Sequence, residues 1–245
     1  MLSVSAVRAQ QPFQTWFTYN HTARLAPKWG YTFDLNHRIR GVLPSTSFLS
    51  AARVGMSYHA GPKLRITGGY AWFGTNVTDR GKRWLHEDRL YYQGQCSHGP
   101  NRLNITHRIR IEHRWRQQFI SGENDETLQK LTNRYRYLIQ FDGPIKRDPA
   151  RRTLLRWQAT NEIFLHTQQT EGFALFDQNR TLGGVIVAFP KGHLQMAVLY
   201  QFIIQQQPLL HEIEPIHSMR LTLFHNLDFR KKTPAAVPDY EPAVE

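Results

Sequence analysis

Thirteen arginines share one side of an alternating pattern, and this placement is the strongest chemical signal in the chain. Arg38, Arg40, Arg53, Arg65, Arg89, Arg108, Arg110, Arg114, Arg116, Arg134, Arg136, Arg156 and Arg220 all occupy the polar parity of segments whose other parity is apolar. Four carboxylates, Asp34, Glu112, Glu162 and Asp228, clearly share that parity. Guanidinium groups gathered this way favour anions in a narrow water-filled path. Alternatively, if each carboxylate serves several arginines, they fill an enclosed space with salt bridges. The spacing leaves both outcomes open, with the plug favoured around Glu112.

Other chemistries are weaker. Glu112 and His113 are neighbours on opposite faces of an extended segment, so they cannot share a proton or a metal. No serine has a GxSxG-like setting and no Ser–His–Asp set is visible, so a non-enzyme is expected, with no cofactor and no metal site. A single cysteine, Cys96, excludes an intrachain disulfide framework. The net charge of +12 would also suit a soluble basic β-protein that binds polyanions. If the arginines point into an enclosed lumen, that surplus is internal and no nucleic-acid partner is expected.

Long strands are what can line up so many arginines. Arg102 to Phe119 alternates from end to end: Leu103, Ile105, Ile109, Ile111, Trp115 and Phe119 oppose Arg102, Asn104, Thr106, Arg108, Arg110, Glu112, Arg114, Arg116 and Gln118. At about 3.3 Å per residue such a strand far outreaches the five or six residues usual in globular sheets. The same design recurs over Phe13–Ala23, Trp29–Arg40, Phe48–Tyr58, Leu64–Phe73, Arg89–Ser97, Lys130–Phe141, Leu155–Leu165, Phe173–Phe189, Leu194–Gln205 and a last strand ending at Phe229. Short turns alternate with longer polar loops, among them the stretch Thr75 to Asp88. Three features break the pattern. Trp16 falls on the wrong parity, a bulge is expected near Gly183-Gly184, and His37, His107 and His113 stand on the apolar side, where they must lie near an interface or stay neutral.

Eleven segments are visible. Because single-chain bacterial barrels have even strand numbers, an antiparallel up-and-down transmembrane β-barrel of twelve strands is predicted, with ten as the second choice. No apolar run approaches the roughly 20 residues of a membrane helix, and a mean hydropathy of −0.53 does not argue against strands that are apolar at only every second position. An arginine facing lipid at mid-depth costs about 2–4 kcal/mol, so arginines confined to one parity mark the lumen side. Trp29, Tyr31, Trp72, Tyr92, Trp115, Tyr137, Trp157 and Tyr200 all take the apolar parity, as an aromatic girdle requires. A soluble barrel would instead pack these rings inside and show arginine to water. Residues 1–12 read as the end of a secretory signal or a disordered leader, 13–229 as the barrel, and 230–245, rich in proline, as a flexible tail.

The tracts RWLHEDRLYYQ, NITHRIRIEHRWRQ, NRYRYLIQFDGPI, NEIF and FDQNRTLGGVIVAF resemble the DUF2490 family of predicted outer-membrane β-barrels, with the alternation His107-Arg108-x-Arg110-x-Glu112-x-Arg114 and the pair Asn179-Arg180 as the most specific parts. The likeness runs over about residues 14–229. It implies a barrel in the outer membrane of a Gram-negative bacterium, the family being found largely in Bacteroidota, and it implies no activity. The functions in view are therefore a narrow, porin-like anion-preferring channel or a plugged structural barrel within a larger outer-membrane complex. Lipid, the barrel-insertion machinery and possible further outer-membrane subunits are the partners.

The last strand also carries an assembly signal. Leu221, Leu223, Leu227 and Phe229 give alternate apolar positions ending in an aromatic, and insertion machinery that adds such a strand to an edge would read it. Changing Leu227→Ser together with Phe229→Ser should sharply reduce the amount of protein reaching the membrane, measured by fractionation, whereas deleting residues 234–245 should not. Equal membrane yields for the double variant and the wild type would show that only the backbone of the strand is read.

Overall fold

The period-two segments form eleven strands and no helix among the residues described by the computed structural model, which are 13–42, 47–77, 83–100, 102–119, 127–149, 152–167, 175–189, 193–206 and 213–230. Residues 1–12 and 231–245, expected to be leader and tail, lie outside them. The strands are β1 Gln14–Arg24, β2 Trp29–Arg40, β3 Ser47–His59, β4 Leu64–Val77, β5 Arg83–His98, β6 Asn104–Phe119, β7 Thr127–Arg147, β8 Thr153–His166, β9 Phe176–Ala188, β10 Leu194–Gln206 and β11 Ile213–Asp228. Each pairs antiparallel with the next, and the sheet closes on itself.

Closure departs from the expected even count. The barrel has the eleven strands that the alternation shows, and no twelfth is present among the described residues. An up-and-down chain with an odd number of strands brings its first and last strands together pointing the same way. β1 and β11 accordingly pair in parallel, from Gln14 beside Ser218 to Arg24 beside Asp228. The sheet is therefore mixed. Closure is still complete, so no strand edge is left without backbone partners.

Burial is inverted relative to a soluble protein. Val54, Ile66, Ile109 and Tyr200 point outward and are 51%, 50%, 59% and 52% exposed, whereas Arg108, Glu112 and Gln201 point inward at 1%, 2% and 0%. All eight predicted girdle residues lie on the outer face, with Trp29 opening β2 beside the turn that leads into it. The three misfit histidines are also outward, and each is satisfied across the sheet. His37 bonds Ser50 at 3.0 Å, His107 bonds Tyr137 at 2.8 Å and His113 bonds Asn133 at 2.7 Å.

Two local expectations are corrected. The ladder runs unbroken past Gly183 and Gly184 on both sides, and the irregularity falls earlier, where Phe164 faces Gln178 while Leu165 faces Phe176. Asp177 is the extra residue, since it and Gln178 are consecutive, yet Asp177 reaches the inward Arg134 and Gln178 is buried. The mixed parity beyond it arises because the inward residues there include Leu182 and Ile186 and the outward ones Asn179 and Thr181. Second, β5 begins at Arg83, so Trp84 to Asp88 belongs to a strand rather than to the expected polar stretch. A close approach is built in where Gly55 faces Gly69, because the inward Tyr91 ring lies over this pair and a side chain at either position would strike its hydroxyl.

The strand ends flanking 25–28, 60–63, 99–103, 148–152 and 189–193 lie at one end of the barrel, and those flanking the generally longer 41–46, 78–82, 120–126, 167–175 and 207–212 at the other. The parallel seam has a direct test. In a Cys96→Ser background, Tyr19→Cys with Leu223→Cys, which face each other in the register, should form an intrachain disulfide, because paired Cα atoms fall within bridging distance. Tyr19→Cys with Leu227→Cys, four residues out of register, should not. Mobility on non-reducing gels reads the outcome, and no difference between the two pairs would reject the seam.

Candidate functional site

The inward parity builds one continuous ionic array in the middle of the barrel. Register sets its logic. Glu112 on β6 stands directly opposite Arg134 on β7, and Arg134 donates from Nε and Nη2 to Glu112 Oε2 at 2.9 and 2.6 Å. Arg136, two residues on, takes Glu112 Oε1 at 2.7 Å and grips Glu162 of β8 with two parallel bonds of 2.8 and 3.0 Å. Arg108, whose side chain is fully buried, completes the chain to Glu162 at 2.7 Å. Two-point contacts of this kind are among the strongest charge-assisted bonds.

A second hub lies toward the end carrying the longer connections. Glu87 accepts from Arg89 at 2.6 Å and from Arg114 at 2.5 and 3.1 Å, with Arg116 at 3.4 Å. Asp177 joins the array through Arg134 at 3.2 Å and His166 at 3.4 Å. Toward the short-turn end, Asp142 holds Arg156 at 3.0 Å and Arg65 donates to Gln95 at 2.8 Å. Asp34 pairs with Arg53 at 2.5 Å.

Of the thirteen arginines read from the sequence, ten sit in or beside this array, while Arg40 lies over the Phe48 ring at 5.7 Å, and Arg38 and Arg220 gather near Trp16. Glu112, Glu162 and Asp34 act as expected. Asp228 does not: it lies at the exposed end of β11 and pairs with Arg230 at 2.5 Å, outside the array. The sequence pattern missed Glu87, Asp142, Asp177 and Arg180. Glu87 was hidden in the assumed loop and Asp142 lay one residue past an assumed strand end. The bulge concealed Asp177, and the mixed polarity of the inward residues of β9 concealed Arg180.

Two cavities occupy the lumen and share no lining residue. The larger, about 320 Å³, is walled by Trp16, Arg38, Phe48, Thr75, Arg116 and Gln205, among others, all near the strand ends that carry the longer connections. It is also lined by Arg136 and Glu162 and continues past them along β7 and β8 to Gln140 and Gln158. The smaller, about 40 Å³, is lined by Asn20, Asp34, Arg65, Gln93 and Arg110. Arg134, Arg136 and Glu162 of the Arg108–Glu162–Arg136–Glu112–Arg134 chain line the larger cavity. The larger cavity is a vestibule, and the ionic chain that borders it forms part of its floor.

No group of three or more His, Cys, Asp or Glu residues suited to a metal is present among the described residues. The opposite wall, on β9 to β11, carries an apolar cluster: Leu182, Ile186, Ala197, Leu199 and Phe224 pack together inside the barrel. The sequence pattern of a family described as "Protein of unknown function (DUF2490)" matches residues 13–209. No curated protein matches the chain.

Glu112 should carry the stability of the array. Glu112→Gln leaves buried guanidinium groups without their counter-charge, and breaking a buried pair from one side costs about 3–5 kcal/mol. Asp228→Asn, at the exposed strand end, should change stability by less than about 0.5 kcal/mol. Guanidinium unfolding of the detergent-folded protein measures both, and equal effects would dismiss the hub.

Proposed function

We propose that this chain, which belongs to the DUF2490 family, is a bacterial outer-membrane β-barrel whose lumen is sealed by charge pairing, and that it works as a non-conducting structural or binding component rather than as an open pore. The observation that carries the membrane half is the inverted burial. Outward-facing Val54, Met56, Ile66, Tyr92, Ile109, Val198 and Tyr200 would leave water against a continuous apolar surface, which soluble monomers avoid beyond a few hundred Å². Every strand has at least 11 residues, enough to cross a bilayer when tilted.

The sealed half rests on the ionic floor. Eight-stranded barrels are filled by side chains and those of sixteen strands are open, so eleven strands decide nothing by size alone. Filling decides. Arg108, Glu112, Gln140 and Glu162 are each 5% exposed or less, and the carboxylates bind their arginines at hydrogen-bond distance. An ion crossing this layer would have to break several such contacts in a low-dielectric setting.

One observation favours the second reading, an anion-preferring channel: the vestibule above the floor is lined by Arg38, Arg180 and Arg220, a setting that draws anions in. Two measurements separate the possibilities. The protein should sediment with outer membranes, resist salt and carbonate extraction, and migrate differently before and after boiling in detergent. In planar bilayers the purified protein should show no stepwise current. Solubility in plain buffer would reject the membrane assignment, and anion-selective steps would reject the seal in favour of the channel.

A further inference from the structure

Arg38, Arg180 and Arg220 reach one indole from three different strands, β2, β9 and β11. The guanidinium carbon of Arg38 lies 3.5 Å from the Trp16 ring centroid, that of Arg180 at 5.1 Å and that of Arg220 at 5.7 Å. Trp16 is itself only 1% exposed and is fixed by an Nε1 bond to Gln14 at 3.0 Å. An aromatic face can hold one cation well. It supplies no counter-charge.

Arg38 and Arg180 donate hydrogen bonds to neutral acceptors. Arg38 Nε donates to Asn36 Oδ1 at 2.8 Å and Arg180 Nε to Gln178 Oε1 at 3.0 Å. The charges that act most on Arg38 are those of Arg180, Arg220, Arg89 and Arg53, all of its own sign. Glu162 and Asp177 act on Arg180, yet Glu162 is already gripped by Arg108 and Arg136, and Asp177 by Arg134 and His166. All three arginines line the 320 Å³ vestibule. That volume lies at the lower end of the range of small-molecule sites, about 300–1,000 Å³.

We propose that this cluster is a binding site for a small water-borne phosphate monoester, of the size of a sugar phosphate. A phosphate group brings up to two negative charges and three acceptor oxygens, matching several forked guanidinium donors better than a single carboxylate does. The ligand comes from water rather than from lipid. The sheet is hydrogen-bonded all the way round, so nothing enters sideways, and the vestibule lies at the end carrying the longer connections. The inference rests on the sealed-lumen reading in one respect, that the vestibule is a dead end in which a solute is held rather than passed.

The test uses the full chain folded in zwitterionic detergent, with glucose 6-phosphate as probe, followed by titration calorimetry and by the tryptophan fluorescence to which Trp16 contributes. Saturable one-site binding is expected, with competition by inorganic phosphate and none by glucose. Arg38→Gln with Arg180→Gln should weaken binding at least tenfold. Should that variant fail to show heat-modifiable migration, Asn36→Asp serves instead, because it keeps the shape of the side chain bonded to Arg38 while supplying an internal counter-charge. It too should weaken binding at least tenfold.

Absence of saturable binding to the wild type, or unchanged affinity in Asn36→Asp, overturns the proposal. Competition by vesicles containing phosphatidic acid overturns its water-borne part. Bilayer current is scored separately: a conducting protein that binds the probe loses only the seal, and a silent protein that does not bind it loses only this site.

Discussion

Two pairs of arginines face each other directly across neighbouring strands, Arg110 with Arg136 and Arg89 with Arg114. Like charges in such positions repel, and inside a barrel there is little water to screen them. Each pair is bridged by a carboxylate. Glu112 lies between Arg110 at 3.8 Å and Arg136 at 2.7 Å, and Glu87 between Arg89 at 2.6 Å and Arg114 at 2.5 Å. The closed sheet depends on these bridges, because a strand cannot shift its register by one residue without turning its own arginines outward, away from their carboxylates.

The bridges also explain why so few acids suffice. Fourteen inward arginines, the thirteen read from sequence and Arg180, meet six carboxylates within the array and its flanks, Asp34, Glu87, Glu112, Asp142, Glu162 and Asp177. A carboxylate has about four lone-pair directions and can serve several guanidinium groups. Neutral acceptors take part of the rest: Gln93 receives two bonds from Arg110, at 2.9 and 2.6 Å, and Gln95 one from Arg65. Aromatic faces take another part, with Arg89 3.5 Å above Phe73 and Arg134, Arg136 and Arg180 all near Phe164. Buried ion pairs of this type contribute definition of a single arrangement more than net stability.

Strand existence and facing were legible from the sequence because the side-chain period of a strand is two, and a parity that collects Arg108, Arg110, Glu112 and Arg114 can hardly be misassigned. Strand number was not legible from family-wide parity rules, since an odd barrel needs only one parallel pair to close. The acidic half of the site was half legible. Glu112 and Glu162 sit inside clean alternation, whereas Glu87 sits where alternation continues into a stretch whose polarity suggested a loop. Asp177 was illegible because a bulge changes parity without any residue type that announces it, and Arg180 because its inward parity on β9 also carries Leu182 and Ile186. Trp16 stood out only as a rule-breaker, and the structure gives the reason: its ring is the inward platform on which Arg38 lies.

The distribution of charge around the lumen follows from how far a side chain can reach. Glu87, Glu112 and Glu162 stand on β5, β6 and β8, so the arginines of β5 to β8 lie one or two strands from a carboxylate. Glu162 faces Arg180 in the register, yet its two oxygens are already committed to Arg108 and Arg136. Beyond it the wall turns apolar through Leu182, Leu199 and Phe224 on β9 to β11, and none of the six carboxylates stands on β10 or β11. Arg38 and Arg180 therefore lean on Trp16 and on amide oxygens instead. The cationic character of the vestibule is thus a consequence of topology: the residues that neutralise the floor are confined to one side of the barrel, and the seam between β1 and β11 lies on the other.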